Sequence, residues 1–378
     1  MIGNPPYISA LEAKKILSEE IRNGYKRSFQ SATGAYDMYI IFIELGLSML
    51  TSNGTLAFIT PSKYLSAEYA IGLRSYILSG HSLAHISDYS SVKVFESAGV
   101  STLVSIIRRM AQQPEVTFTS YRSLTDIITH HRYPSSVLTA LPNNIWGHLL
   151  STYADLFFKI YDQSSILEEH AEVNACSTAG EAEVYEDNLS ESPDSHSFKF
   201  LNNGTLNRYA SYWGTKKIRK GLLRPYLSTD YMTERRAMLF KKPKLIFAKI
   251  AKCPEVFYDS KGEYSSANTN MVYDVEGYDL RALLGYFNSS TFNFVYKVMF
   301  GGLSMLGSLQ FQAPQIRKSL IPNVINNSED ICSLVDKIME IKSINPFEDT
   351  AELEKQIDSL FYGVYGLTDE DRCIIESM

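Results

Sequence analysis

The run Ile2-Gly3-Asn4-Pro5-Pro6-Tyr7-Ile8 places the most chemically suggestive residues of the chain in one short loop. Its two prolines fix φ and remove two amide donors, which leaves the loop few conformations. A loop stiffened in this way can hold Asn4 and Tyr7 in set positions with backbone carbonyls turned inward. That arrangement suits a planar amino group: the Asn4 side-chain oxygen and the Pro5 carbonyl accept its two hydrogens, while the Tyr7 ring stacks on its face. The lone pair of an exocyclic amine on a base is delocalised into the ring, so the amine is a poor nucleophile. Two acceptors at its hydrogens favour a pyramidal nitrogen and aim the lone pair at an incoming methyl sulfonium. Such chemistry rests on positioning and electrostatics and requires no dedicated general base. The competing reading is an ordinary proline-rich turn.

Holding the loop requires a scaffold, and the pattern that follows supplies one. Asp37 to Leu50 is apolar all round, as expected of a helix buried against a sheet. Asn53-Gly54 ends it, and Thr55 to Thr60 reads as a short buried strand. Pro61-Ser62 opens a predicted amphipathic helix to about Leu78, and Leu83 to Tyr89 and Ser101 to Ile107 read as further strands. This alternation predicts an α/β sheet layered with helices. The rhythm is lost from about Pro114. Further on, Lys244 to Lys249 and Glu255 to Tyr258 read as strands meeting near Ser260-Lys261-Gly262, and Glu329 to Ile344 and Glu348 to Tyr362 as helices.

Charge is distributed unevenly. The 378 residues carry a formal charge of -6, and a hydrophobic fraction of 45% with 21% charged residues excludes wholesale disorder. Glu168 to Asp194 holds nine acids and no Lys or Arg, which reads as a solvated insertion. Arg208 to Lys252 reverses the sign, with thirteen Lys or Arg against Asp230 and Glu234, interleaved with Tyr209, Tyr212, Trp213, Tyr226 and Tyr231. A polyanion-facing surface follows from that pattern, with separately solvated lysines as the alternative. Lys216, Lys217, Arg219, Lys220 and Arg224 are the candidate phosphate contacts. Cys176, Cys253, Cys332 and Cys373 are far apart, with no histidine at ligand spacing, so neither a metal site nor a disulfide framework is expected and a reduced cytoplasmic compartment is. Neither a signal peptide nor a membrane span is legible.

Asn4-Pro5-Pro6-Tyr7 resembles motif IV of the amino-methyltransferases, in the form that marks methylation of adenine N6 in DNA. Gly54 to Leu65 resembles the strand and loop that follow in the same family, and Val94-Phe95 before Val100 to Ile107 its later motif. Lys242 to Phe247, Tyr258 to Gly262, Leu283 to Ser289 and Leu320-Ile321-Pro322 are similar to a TaqI-type target-recognition domain, and Leu353 to Gly366 with Thr368-Asp369-Glu370 to the tail of type II restriction-modification methylases. The resemblance implies a site-specific adenine DNA methyltransferase of the type IIG, TaqI-like kind. Asn4, Pro5, Pro6 and Tyr7 would be its catalytic loop, and Tyr7 and Phe95 the rings on either face of a flipped adenine. The alternative for Phe95 is an ordinary core position. S-adenosylmethionine would be the cofactor and double-stranded DNA the partner.

The family's cofactor site uses a Gly-rich turn and an acidic residue upstream of the loop, and neither occurs here. The expectation is therefore a partial Rossmann-like methyltransferase sheet lacking its N-terminal strands, followed by an α+β target-recognition domain. The expected boundaries are 1–113 for the catalytic part, 114–330 for recognition with the acidic insertion near 162–196, and 331–378 for a helical tail. A chain or upstream domain carrying the cofactor half would then be a partner, and activity of this chain alone is doubtful. Two rivals stand beside this reading: a non-catalytic DNA-binding specificity subunit, and a protein glutamine methyltransferase, which also uses Asn-Pro-Pro-Tyr but has no use for the long basic C-terminal part.

Overall fold

Residues 1–92, 94–95, 101–218, 221–303 and 307–378 are described by the structure, a computed structural model. Ile2–Gly3 forms β1, and three helices follow it: α1 (Ala10–Ile16), α2 (Glu19–Ser28) and α3 (Met38–Ser48). Burial accounts for one side of the apolar helix α3, with Tyr39, Ile40, Ile41, Ile43 and Leu47 within the core; its other side leaves Phe42 and Leu45 exposed, against the expectation of a helix buried all round. Gly46 lets this helix come close to the sheet, since a Cβ there would lie 2.5 Å from Leu56 Cδ1. Glu44 is also buried in α3, where its carboxylate accepts from the Gln30 and Ser31 amides at 3.0 and 2.7 Å. A buried carboxylate bound in this way holds the segment between α2 and α3 in place.

Five more strands complete the sheet: β2 (Thr55–Pro61), β3 (Ser82–Asp88), β4 (Thr102–Arg108), β5 (Glu115–Tyr121) and β6 (Ile127–Pro134). Among the described residues the order is β1-β2-β4-β3-β5-β6. β1 runs parallel to β2, with Ile2 opposite Ala57 and Gly3 opposite Phe58, and β3 runs parallel to β5. The other neighbours are antiparallel. Helices on a mixed sheet make this unit α/β.

Two local expectations are corrected. The sheet continues past Pro114, because β5 buries Val116 and Phe118 on one face and turns Thr117 and Thr119 to the other. There Thr117 Oγ1 is 2.7 Å from His85 Nδ1, and Thr119 Oγ1 is 2.8 Å from His130 Nδ1. A strand polar on one face lacks the apolar run by which β2 was legible. The helix expected from Ser62 is divided as well: two 3₁₀ turns, Ser62–Leu65 and Glu68–Ala70, precede α4 (Ile71–Gly80). Arg74 on α4 is fully buried and donates to the carbonyls of Tyr64, Ala67 and Asn143 at 2.6, 2.9 and 3.1 Å, which fixes the turns in place. Burial brings its guanidinium down to about 10.

The chain divides into two compact units, Met1–Ala154 with Val298–Leu306, and Asp155–Lys297 with Gly307–Met378. In the second, Val256–Asp259, Lys244–Ala248, Thr269–Tyr273 and Glu172–Ala175 form an antiparallel sheet in that order. Tyr226–Ser228, Ser197–Asn202 and Tyr264–Ala267 form another. Helices Leu280–Phe287, Ser328–Ile344 and Ala351–Val364 pack together around Leu283, Leu284, Val335, Ile338 and Ile357. The acidic segment is not a solvated insertion. Its apolar positions Leu167, Val173, Cys176, Ala182 and Tyr185 are buried, while Glu168, Glu169, Glu172, Glu183, Asp187, Glu191 and Asp194 are exposed. The acids coat the outer face of ordered structure. No helix of the described residues is long and apolar enough to cross a membrane.

Candidate functional site

The Asn4–Tyr7 loop leaves the end of β1, whose approach to β2 depends on Gly3, since a Cβ there would sit 2.8 Å from the Phe58 ring. Pro5 is buried and Pro6 half-buried, anchoring the loop, while Asn4 is exposed. The Asn4 side chain makes no hydrogen bond among the described residues, so its amide oxygen is free to accept one. The Tyr7 hydroxyl donates to the Ile59 carbonyl on β2 at 3.0 Å, and its ring meets Tyr39 of α3 edge to face at 6.4 Å. Burial pushes the phenol up to about 12, which keeps it a donor at neutral pH. One residue on, the Ile8 carbonyl accepts from the Met38 amide at 2.9 Å. The loop is thus fastened to both β2 and α3.

Phe95 is the second ring at this site. Its centroid lies 6.0 Å from that of Tyr7 at an interplanar angle of 82°. A flat base sandwiched between two rings needs parallel faces about 7 Å apart, twice the usual carbon contact distance. The structure therefore brings the two residues together in edge-to-face contact, and the Phe95 side chain must turn to admit a base between them. Tyr39, Ile59 and Glu44, which hold the loop and its surroundings, were not singled out in the sequence. Only the strongly apolar context of Tyr39 marked it as core.

A ribose-binding site needs a free carboxylate, and the Asn4–Tyr7 loop has none. Asp37 accepts from the Ala10 amide and the Tyr69 hydroxyl, Glu44 from two loop amides, and Asp88 from the amide and hydroxyl of Ser90. Each of these carboxylates accepts hydrogen bonds within the protein, Asp88 through Oδ1.

In the second unit, the basic segment resolves into two populations. Arg208 pairs with Glu354, Arg236 with Glu181, Lys242 with Asp274, and the fully buried Lys244 with Asp259. These cations are neutralised inside the unit. Lys216, Lys217 and Arg224 are exposed, and the Lys216 ammonium lies 5.4 Å above the Tyr212 ring. Glu191 accepts from the Leu223 and Arg224 amides, which places one of the acids beside this basic loop. Arg219 and Lys220 lie outside the described residues.

Residues 1–95 match the Eco57I restriction-modification methylase family, and residues 201–305 match the TaqI-like C-terminal specificity domain. The resemblance to type II restriction-modification methylases holds. The first unit thus carries the methylase segment, and most of the specificity segment falls in the second. Among curated relatives, the type II restriction enzyme and methyltransferase RM.Eco57I of Escherichia coli is 27% identical over 109 residues, 29% of this chain and 11% of that protein. The type II methyltransferase M.HincII of Haemophilus influenzae is 33% identical over 113 residues, 29% of this chain and 21% of that protein. M.TthHB8I of Thermus thermophilus is 34% identical over 80 residues, 20% of this chain and 19% of that protein. The matches thus span only a tenth to a fifth of these relatives' length. The type IIL restriction-modification enzyme MmeI, solved in complex with DNA, superposes on all of this chain and 57% of its own, with a TM-score of 0.56 at 11% identity. That likeness shows a shared fold.

Proposed function

We propose that this chain supplies the amine-positioning loop and the specificity segment of a site-specific DNA methyltransferase that methylates adenine N6. The observation that carries the reading is the Asn4–Tyr7 loop itself: an unengaged amide at Asn4, a buried Pro5, and a Tyr7 ring held by Ile59 and Tyr39 with Phe95 beside it. A flipped adenine entering this loop gives its two amine hydrogens to the Asn4 side-chain oxygen and the Pro5 carbonyl, which localises the nitrogen lone pair. Tyr7 and Phe95 close on the two faces of the ring and replace the stacking lost from the duplex. Lys216, Lys217 and Arg224, with Arg219 and Lys220, neutralise phosphates along the duplex. In this reading the sheet is the latter part of a Rossmann-like methyltransferase sheet, and the second unit is an α+β recognition domain. S-adenosylmethionine supplies the methyl group, and residues of another segment or chain help to hold it.

The test is methyl transfer from labelled S-adenosylmethionine to duplex DNA, followed by digestion to nucleosides. Label in N6-methyladenine that disappears with Asn4→Ala supports the reading, and label in another base or in protein glutamine overturns it. The exposed Lys216, Lys217 and Arg224 of the second unit favour a second reading, a specificity module acting with a cofactor-carrying partner. It predicts salt-sensitive duplex binding with no label transferred by the chain alone.

A further inference from the structure

A cavity of about 150 Å³ opens between α1, α2 and the start of α3, lined by Ala10, Lys14, Arg22, Lys26, Tyr36 and Met38 among others. No carboxylate lines it. Arg22 and Lys26 are four residues apart on α2 and so share a face, and Lys14 approaches from α1. None of these three cations makes an ion pair among the described residues. The Arg22 Nε is shielded from solvent and has no hydrogen-bond partner. Glu12 caps α1 through Ser9, Asp37 binds the Ala10 amide and the Tyr69 hydroxyl, and Glu19, one helical turn before Arg22, makes no ion pair with it among the described residues.

A cavity lined by three cations that make no ion pair among the described residues calls for an anion. Three positive charges and a forked donor match a phosphate, whose several oxygens can accept from all of them. The volume is well above what one water needs. The cavity is also tied to the loop: Ala10 is three residues from Tyr7, and Met38 donates its amide to Ile8. Three residues span at most about 11 Å, and a nucleic-acid strand advances about 3.4 Å of axis per phosphate. A base held at Tyr7 therefore puts backbone phosphates of its own strand within reach of the cavity.

We propose that Lys14, Arg22 and Lys26 form a phosphate site that grips the backbone of the strand delivering its base to the Asn4–Tyr7 loop. The phosphate chemistry stands on the cavity alone, whereas its DNA source rests on the function proposed above.

The experiment titrates the full chain with two probes: inorganic phosphate, followed by calorimetry, and a fluorescein-labelled 30-bp duplex, followed by anisotropy between 50 and 300 mM NaCl. Arg22→Ala with Lys26→Ala is expected to weaken both probes about tenfold and to make the salt slope shallower by about one. Arg22→Lys, which keeps the charge, should retain the slope, and an unchanged melting temperature shows that the variants fold. Weakened phosphate binding with unchanged duplex binding overturns the DNA source and assigns the site to a free phosphate. Phosphate and duplex binding that are both unaltered by the double variant overturn the site. Failure of the unmutated chain to bind duplex, while phosphate binding still depends on Arg22, overturns the DNA methylase reading and leaves the anion site upheld.

Discussion

Tyr7 and Phe95 meet edge to face, their ring centroids 6.0 Å apart at 82°, in front of a loop whose Asn4 amide is unengaged. In the proposed function a base stacks between these rings, and an edge-to-face contact at 6.0 Å leaves no room for it, so binding would require a rearrangement at Phe95. With 2-aminopurine placed unpaired in a duplex, quenching on stacking reads this step. Tyr7→Ala and Phe95→Ala should each weaken it by about 1–3 kcal/mol. Tyr7→Phe keeps the ring and loses only the hydrogen bond to Ile59, so it should cost less. Equal quenching in all three variants would remove both rings from the base site.

Arg74 is a stability prediction independent of function. It is a fully buried cation that donates to backbone carbonyls, and Arg74→Met leaves the Tyr64, Ala67 and Asn143 oxygens without that donor. The expected loss is about 3–5 kcal/mol in urea unfolding of the whole chain. A loss below about 1 kcal/mol would mean that water replaces the guanidinium.

His148 gives a pH dependence. It is fully buried, and burial lowers its imidazole to about 4. The unfolded chain takes up this proton near pH 6.5 and the folded chain does not. Its contribution is therefore complete above about 6.5, declines as pH falls, and is exhausted near 4. Between pH 6.5 and pH 5 this one group should remove about 2 kcal/mol of stability. His148→Gln should flatten that part of the unfolding-midpoint profile, and a parallel profile would assign the pH dependence to other groups.

The two populations of basic residues predict different salt behaviour. Lys216→Ala with Lys217→Ala should make the slope of duplex affinity against salt shallower by about one to two. Arg236→Ala should leave that slope unchanged, because Arg236 is already paired with Glu181. A comparable change from both variants would mean that pairing does not separate the two groups.

What was legible in the sequence followed a physical rule. Helix α3 and strand β2 were readable because each carries a dense apolar run, although α3 leaves Phe42 and Leu45 exposed, and the Asn4–Tyr7 loop because two prolines restrict a backbone visibly. Strands β5 and β6 were not, since one face of each is polar and the alternation with Thr, Ser and His resembles a loop. The acidic segment misled for the opposite reason: its carboxylates outnumber the few apolar positions, Val173, Cys176 and Tyr185, that anchor it. Net charge over Arg208 to Lys252 overstated the exposed basic surface, because Glu354, Glu181, Asp274 and Asp259 lie outside the segment and meet its cations only in the fold. Arg74 and Glu44 were invisible as structural residues because their partners are backbone groups.

Strand β1 is two residues long and sits at the margin of its sheet, with Ile2 90% exposed. A strand ladder can open locally without the rest of the sheet unfolding. The fraction of molecules in which the Asn4–Tyr7 loop is seated against β2 then reflects local opening as well as global stability. The Ala57 amide, which donates to the Met1 carbonyl across that ladder, is where hydrogen exchange would read it. Any ligand that requires the closed ladder must slow exchange at that amide in proportion to its occupancy.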